Sequence, residues 1–129
     1  MNPSSPLLLP VRGAEHRSVG GVEVDVVRAG AGRVKRIIYP VGYRWSSDMQ
    51  PVIGGDHCQH AHVGFLVHGH MHIQYADGCV MELIAPQAVT VDPGHDGWVV
   101  GDEPAVVIEY DFGSETAQRF GVPDAHRHS

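Results

Sequence analysis

Six of the ten histidines in this 129-residue chain fall between His57 and His72. The stretch Asp56-His57-Cys58-Gln59-His60-Ala61-His62-Val63-Gly64 is the centre of that density. His60 and His62 stand at i and i+2, so in a strand they project from one face and can chelate a single ion without distorting the backbone. His57 and Gln59 have the opposite parity, but they follow Gly54-Gly55, and a loop or bulge at the strand entry would turn them toward the same ion. Imidazole nitrogen suits Zn2+, Ni2+, Cu2+ or Fe2+, and the amide oxygen of Gln59 is a weaker additional donor. Surface histidines on an exposed loop are the competing reading. Four donors within six residues, leading into an apolar strand, favour a metal.

His95 is the expected closing ligand. It lies in Val91-Asp92-Pro93-Gly94-His95-Asp96-Gly97-Trp98, at a constrained turn between strands that a barrel can bring beside the first cluster. Asp96 is expected either to orient an imidazole or to shuttle protons. Cys58 is an alternative thiolate ligand if the strand begins that early. His70 and His72 share a face with Gln74, whereas Met71, Ile73 and Tyr75 form the natural core face. His70 and His72 are therefore expected to point outward, with His68 in the turn. Trp45, Met49 and Trp98 are candidates for the mouth of a pocket, or for simple packing.

Short strands must position these residues. Val22 to Arg28 alternates with period two, and Arg33 to Tyr39 follows a Gly-rich turn. Val41 to Ser46 reads as a further strand. Val63 to Val67 and Met71 to Ala76 flank Gly69 as a hairpin, and Asp77-Gly78 leads into Cys79 to Ala85. Ala88 to Val91 and Trp98 to Val100 flank Pro93-Gly94. Ala105 to Phe112 ends the series, with Val106, Ile108, Tyr110 and Phe112 expected inward and Glu109 and Asp111 outward. Ser114 to Phe120 alone reads as helix, with Ser114 its N-cap, and residues from Pro123 onward are expected to fray. About nine strands at this spacing predict an all-β antiparallel sandwich or barrel in a single domain. Its parts are an N-terminal arm to about residue 20, a barrel over about 21–112, and a short helix and tail over 113–129.

Composition narrows the function. The hydrophobic fraction of 43% supports one core, and 16 glycines with 9 prolines suit turns better than helices. The formal charge is −6 with no basic run, which argues against nucleic-acid binding. No stretch approaches the length of a membrane span. The opening residues lack a secretory signal pattern, so a cytoplasmic location is expected, with Cys58 and Cys79 as free thiols.

The histidine-rich strand entry, Gly64-Phe65-Leu66-Val67-His68-Gly69, the Pro-Gly-His turn and Gly101-Asp102-Glu103-Pro104-Ala105 together resemble the two-motif signature of the cupin superfamily. The resemblance covers about Trp45 to Phe112. His62 stands where the first motif usually carries glutamate. Gly97 stands where the second usually carries histidine, two residues after His95. With Cys-Gln near the first motif and Pro-Gly-His-Asp-Gly-Trp in the second, the chain looks closest to the zinc-bearing cupin cyclases of bacterial aromatic polyketide pathways.

That resemblance implies a jelly-roll-like cupin barrel, a homodimer, Zn2+ and a polyketide substrate. It also implies intramolecular aldol closure and aromatisation of a poly-β-ketone. A Zn2+ on neutral imidazoles acidifies bound water and polarises a ketone, inside a lining of Phe65, Leu66, Ile73, Tyr75, Val106, Ile108 and Tyr110. Tyr110 and Asp96 are the expected proton-handling side chains. A metal-dependent cupin dioxygenase and a non-catalytic metal- or ligand-binding module are the alternatives.

Overall fold

The computed structural model describes residues 5–126, folded as two antiparallel sheets facing one another. The strands are β1 (Glu15–Val19), β2 (Val22–Ala29), β3 (Gly32–Tyr39), β4 (His62–His68), β5 (His70–Tyr75), β6 (Val80–Ile84), β7 (Gln87–Val91), β8 (His95–Val99) and β9 (Ala105–Asp111). The larger sheet has the order β1-β2-β3-β9-β4-β7, and the smaller β6-β5-β8. The all-β antiparallel class expected from the sequence is the observed one, in one small domain.

Pleating sets which side chains meet between the sheets. In the larger sheet Ile37 pairs with Val107, and Val107 pairs across to Leu66. In the smaller, Ile73 pairs with Gly97 and Tyr75 with His95. Leu66, Val107, Met71, Ile73 and Val91 are buried, so the core lies between the sheets. The opposite face of β2 and β3 is covered by the N-terminal segment. There the Arg36 guanidinium donates to the Leu7 carbonyl (2.7 Å) and to Asp25 (3.1 Å), and the Val11 N–H donates to Asp25 (2.7 Å).

The register of β4 depends on Gly64. It lies opposite Glu109 of β9, and a Cβ there would occupy the place of the Ile108 carbonyl oxygen. Only glycine permits the two backbones this approach.

Three elements differ from the sequence expectation. The segment from Val41 to Ser46 is not a strand: a turn over its first residues leads into a π-helical turn, Trp45–Met49, and α1 (Gln50–Ile53). Asp48 directs this by accepting the Arg44 N–H (2.8 Å), which limits pairing with β8 to a single bridge, Arg44 to Trp98. β1 was not expected; its charged residues show no apolar alternation, and it is held by its ladder to β2. At the C-terminus a 3-10 turn, Gly113–Glu115, precedes α2 (Thr116–Phe120), and Ser114 is not the cap. Thr116 Oγ1 instead accepts the Phe112 N–H (2.9 Å) and donates to the Gly113 carbonyl (2.9 Å). The tail expected to fray is docked as far as it is described, with His126 stacked on Tyr75 at 3.8 Å. Residues 127–129 lie outside the described residues.

Candidate metal centre

β4, β8 and the loop before β4 converge on one cluster. Cys58 is drawn to the start of β8 by a bridge: its N–H donates to the His95 carbonyl (2.7 Å), and the His95 N–H donates back to the Cys58 carbonyl (3.1 Å). The backbone is thus extended before β4 begins, and Cys58, His60 and His62 share parity toward the interior. One donor atom from each of Cys58, His62 and His95 lies within 4.8 Å of the others. His60 stands at the rim, with Nδ1 3.8 Å from Cys58 Sγ.

Each imidazole is oriented from behind. His62 Nδ1 is 2.8 Å from Glu109 Oε1, which leaves Nε2 facing Cys58 Sγ at 3.8 Å. His95 Nδ1 is 2.8 Å from the Asp92 carbonyl. A carbonyl only accepts, so Nδ1 carries the proton and Nε2 keeps its lone pair for the cluster. Carboxylate and carbonyl backing of this kind holds metal-ligating histidines in place.

Electrostatics favour a thiolate. Burial pushes the Cys58 thiol up, but its contacts with the His60 and His62 imidazoles and the charge of His62 outweigh it and hold the group at about 3. Burial pushes His62 down, yet the charge of Glu109 and the contact with Cys58 raise it to about 10. Both shifts favour a thiolate beside a protonated imidazole when no ion is bound at the site. An ion occupying it would replace the His62 Nε2 proton. The donor set is thus chemically suited to a divalent ion: a thiolate with two imidazoles fits zinc well, and three protein donors leave a coordination position open.

That position faces an apolar cavity of about 290 Å3 between the sheets. Val24, Ile37, Leu66, Met71 and Ile73 form much of its wall, and Trp45 and Met49 contribute from the π-helical turn. Its polar members beyond the cluster are few. Tyr39 and Tyr43 keep hydroxyls whose pKa burial pushes well up. Among the described residues, the buried Trp45 Nε1 has no hydrogen-bond partner.

Several expected site residues stand elsewhere. His57 and Gln59 do not line the cavity, because the Cys58 bridge gives them the outward parity; Gln59 Nε2 donates to the His57 carbonyl at 3.3 Å. Tyr110 is 49% exposed on the outer face of β9. The parity assigned to β9 is reversed, since Val107, Glu109 and Asp111 face inward with Val106, Ile108, Tyr110 and Phe112 on the other side. The charged side chains are tolerated inside because partners meet them: Glu109 has His62, and Asp111 has Arg33 (2.8 Å) and Lys35 (2.5 Å). Phe65, opposite Ile108, is likewise outside the cavity. Asp96 has outward parity and does not orient His95. It accepts the N–H groups of Ser46 (3.1 Å) and Gly97 (2.8 Å) and pairs with Arg44.

Glu109, Tyr39 and Tyr43 are site residues that sequence reasoning missed. The signal for Glu109 was an acid within the apolar run of Ala105 to Tyr110.

No protein-family model and no curated protein matches the chain. Solved structures do match in fold. A cupin 2 conserved barrel domain protein from Salinispora arenicola superposes with a TM-score of 0.57 at 16% identity, over 88% of this chain and 93% of that one. KdgF from a Halomonas species gives 0.52 at 17% identity, over 74% and 84%. Hydroxypropylphosphonic acid epoxidase from S. wedmorenis gives 0.54 at 11% identity, over 78% of this chain and 56% of that one. The fold is that of the cupin barrel. Among the described residues no helix is long and apolar enough to cross a membrane.

Proposed function

We propose that this cupin barrel is a metal-dependent enzyme that closes a ring in an apolar, carbonyl-rich substrate of the poly-β-ketone class. The observation carrying this reading is the convergence of Cys58, His62 and His95 on the wall of an otherwise apolar cavity. Three protein donors with an open side toward a cavity are the arrangement of a catalytic centre. A divalent ion held there, with Zn2+ the best match to the donor set, would supply Lewis acidity at a substrate carbonyl.

The chain's own groups supply the rest. The apolar walls fold a flexible substrate and exclude water. Trp45 Nε1 is a buried donor that a substrate carbonyl oxygen would satisfy, recovering roughly 1–3 kcal/mol of desolvation cost. Tyr43, held protonated by burial and by the negative charge of Cys58, is a donor rather than a base. His60, exposed at the rim and next to Cys58, carries the methylene proton to solvent. The new C–C bond forms between that carbon and a ketone carbon, whose oxygen takes up one proton to become a hydroxyl; that hydroxyl then departs as water with the second hydrogen of the former methylene carbon, leaving a C=C bond.

The non-catalytic alternative has its own observation, the 3.8 Å approach of His60 to Cys58. A fourth ligand would close the site. His60 nevertheless stands outside the group of donors mutually within 4.8 Å, which favours the open, catalytic arrangement. A cytoplasmic homodimer is part of the same proposal, and the exposed Phe65 and Tyr110 on the outer face of β4 and β9 are the surface it would cover.

The test is metal analysis of untagged protein and of His62→Ala, followed by incubation with a synthetic poly-β-ketone. Stoichiometric zinc, lost in the variant, and dehydrated cyclic product support the cyclase. Bound iron or nickel with metal-dependent oxygen uptake replaces it with the dioxygenase. Bound metal without turnover leaves a binding module.

A further inference from the structure

The outer face of the smaller sheet carries a second group of metal donors. His70 and His72 stand at i and i+2 on β5, and Glu82 lies directly across from His72 on β6. Their parity is opposite to that of the buried Met71, Ile73 and Leu83, so the group is separated from the cavity by the sheet. The two rings do not point apart. His70 Nε2 and His72 Nε2 both approach the same oxygen, Glu82 Oε2, at 3.1 and 3.0 Å, and the rings meet edge to face at 5.2 Å.

We propose that His70, His72 and Glu82 form a second site for a divalent transition-metal ion, distinct from the thiolate centre. Two nitrogens and one carboxylate oxygen, each within 4.8 Å of the others, converge on a common point from one side. That is the facial arrangement of two histidines and a carboxylate, which leaves the remaining coordination positions to water. A single ion would replace the shared contacts with Glu82 Oε2 by three metal–ligand bonds.

The backbone beneath is rigid. β5 is central in its sheet, paired on both sides, so the spacing of the two imidazoles is set by the ladder and not by a loop. His72 is further buttressed from β8: it lies opposite Trp98, whose ring meets it edge to face at 5.7 Å and carries the Arg44 guanidinium 4.3 Å over it. Two of the three ligands are therefore preorganised before an ion arrives, and the ion would clip β5 to β6. Affinity should rise from Ni2+ to Cu2+ and fall again to Zn2+, as for any such nitrogen–oxygen site.

The two centres differ in a way that an experiment reads directly, because only the inner one holds a thiolate. The full chain, untagged and stripped with chelator, is titrated with Zn2+ alone by equilibrium dialysis, and with Co2+ and Cu2+ for spectra. Glu82→Gln and His72→Gln should each bind one equivalent less than wild type, or bind the outer ion about tenfold or more weakly, while keeping the thiolate–Co2+ charge-transfer band. The double variant Cys58→Ser/His95→Gln, which removes the thiolate and an inner imidazole, should lose that band yet keep a Cu2+ signal coupled to two imidazole nitrogens. Circular dichroism of the metal-free Glu82→Gln protein, unchanged from wild type, excludes misfolding as the cause. Isotherms of both outer variants superimposable on wild type overturn the proposal. So does a two-nitrogen Cu2+ signal that survives when His72→Gln is added to the Cys58→Ser/His95→Gln double variant. Failure of the inner centre would appear separately, as absence of the thiolate band in wild type.

Discussion

Two histidine pairs with identical spacing have opposite situations in this barrel. His60 and His62 lead into β4 and face the interior; His70 and His72 begin β5 and face outward. Each pair has a carboxylate partner brought by a neighbouring strand. The His62–Glu109 pair is 18% and 6% exposed by side chain, whereas His72 and Glu82 are 27% and 55% exposed. The lesson is that i, i+2 spacing provides a chelating geometry and nothing about its surroundings. Those are decided by which neighbours along the strand are apolar, and by what the rest of the fold places opposite. Inside, the partner carboxylate fixes a tautomer and holds a charge; outside, it is a donor still shared with water.

The largest expected contrast is in stability. Glu109→Gln removes the partner of a buried charge and should cost about 3 kcal/mol in urea unfolding. Glu82→Gln, at the exposed pair, should cost less than about 1 kcal/mol. Equal losses would mean that burial does not distinguish the two pairs. Gly64→Ala attacks the same inner contact through the backbone, forcing β4 away from β9 at Glu109. It should cost about 1–3 kcal/mol, and metal affinity should fall with it because His62 loses its backing.

The inner pair also has a pH signature of its own. Cys58, at about 3 against an ordinary 9.0, adds stability that is complete above the ordinary thiol range and is lost as the pH falls toward 3. His62, at about 10 against 6.5, contributes in the opposite sense: its share is complete below the ordinary imidazole range and is lost as the pH rises through about 10. In a metal-free Cys79→Ser background, ultraviolet thiolate absorbance should therefore persist at pH 5. Absorbance appearing only near pH 9 would remove the ion pair from the account. Zinc binding at pH 7 should release a proton, measured by calorimetry in buffers of different ionisation enthalpy.

The smallest effects sharpen the parity argument. His57→Ala and Gln59→Ala should leave metal content unchanged by elemental analysis, and Tyr110→Phe should leave turnover unchanged. Loss of metal from either of the first two would place the strand entry in a different register.

Much of the barrel was legible in local pattern. Most strands follow from period-two alternation and Gly-marked turns, because alternation and turn chemistry are written in neighbouring residues. The outward facing of His70 and His72 was also readable, since Met71, Ile73 and Tyr75 define the other face. The candidate site was legible in type and only partly in membership. His62 and His95 are brought together as expected, but Cys58 enters through its bridge to His95, a contact between residues 37 positions apart in the chain. That bridge turns His57 and Gln59 away.

By itself the sequence determined the antiparallel class, the positions of most turns and the concentration of metal-binding side chains, since these depend on composition and on residues a few positions apart. The facing of β9 was a tertiary decision. Locally, Val106, Ile108 and Tyr110 are as good a core stripe as Ala105 and Val107, and two acids argue against the second. Glu109 and Asp111 go inward because His62, 47 residues earlier, and Arg33, 78 residues earlier, are waiting there to satisfy them. A charge is buried only with its partner, and a partner that distant is supplied by the closed barrel alone.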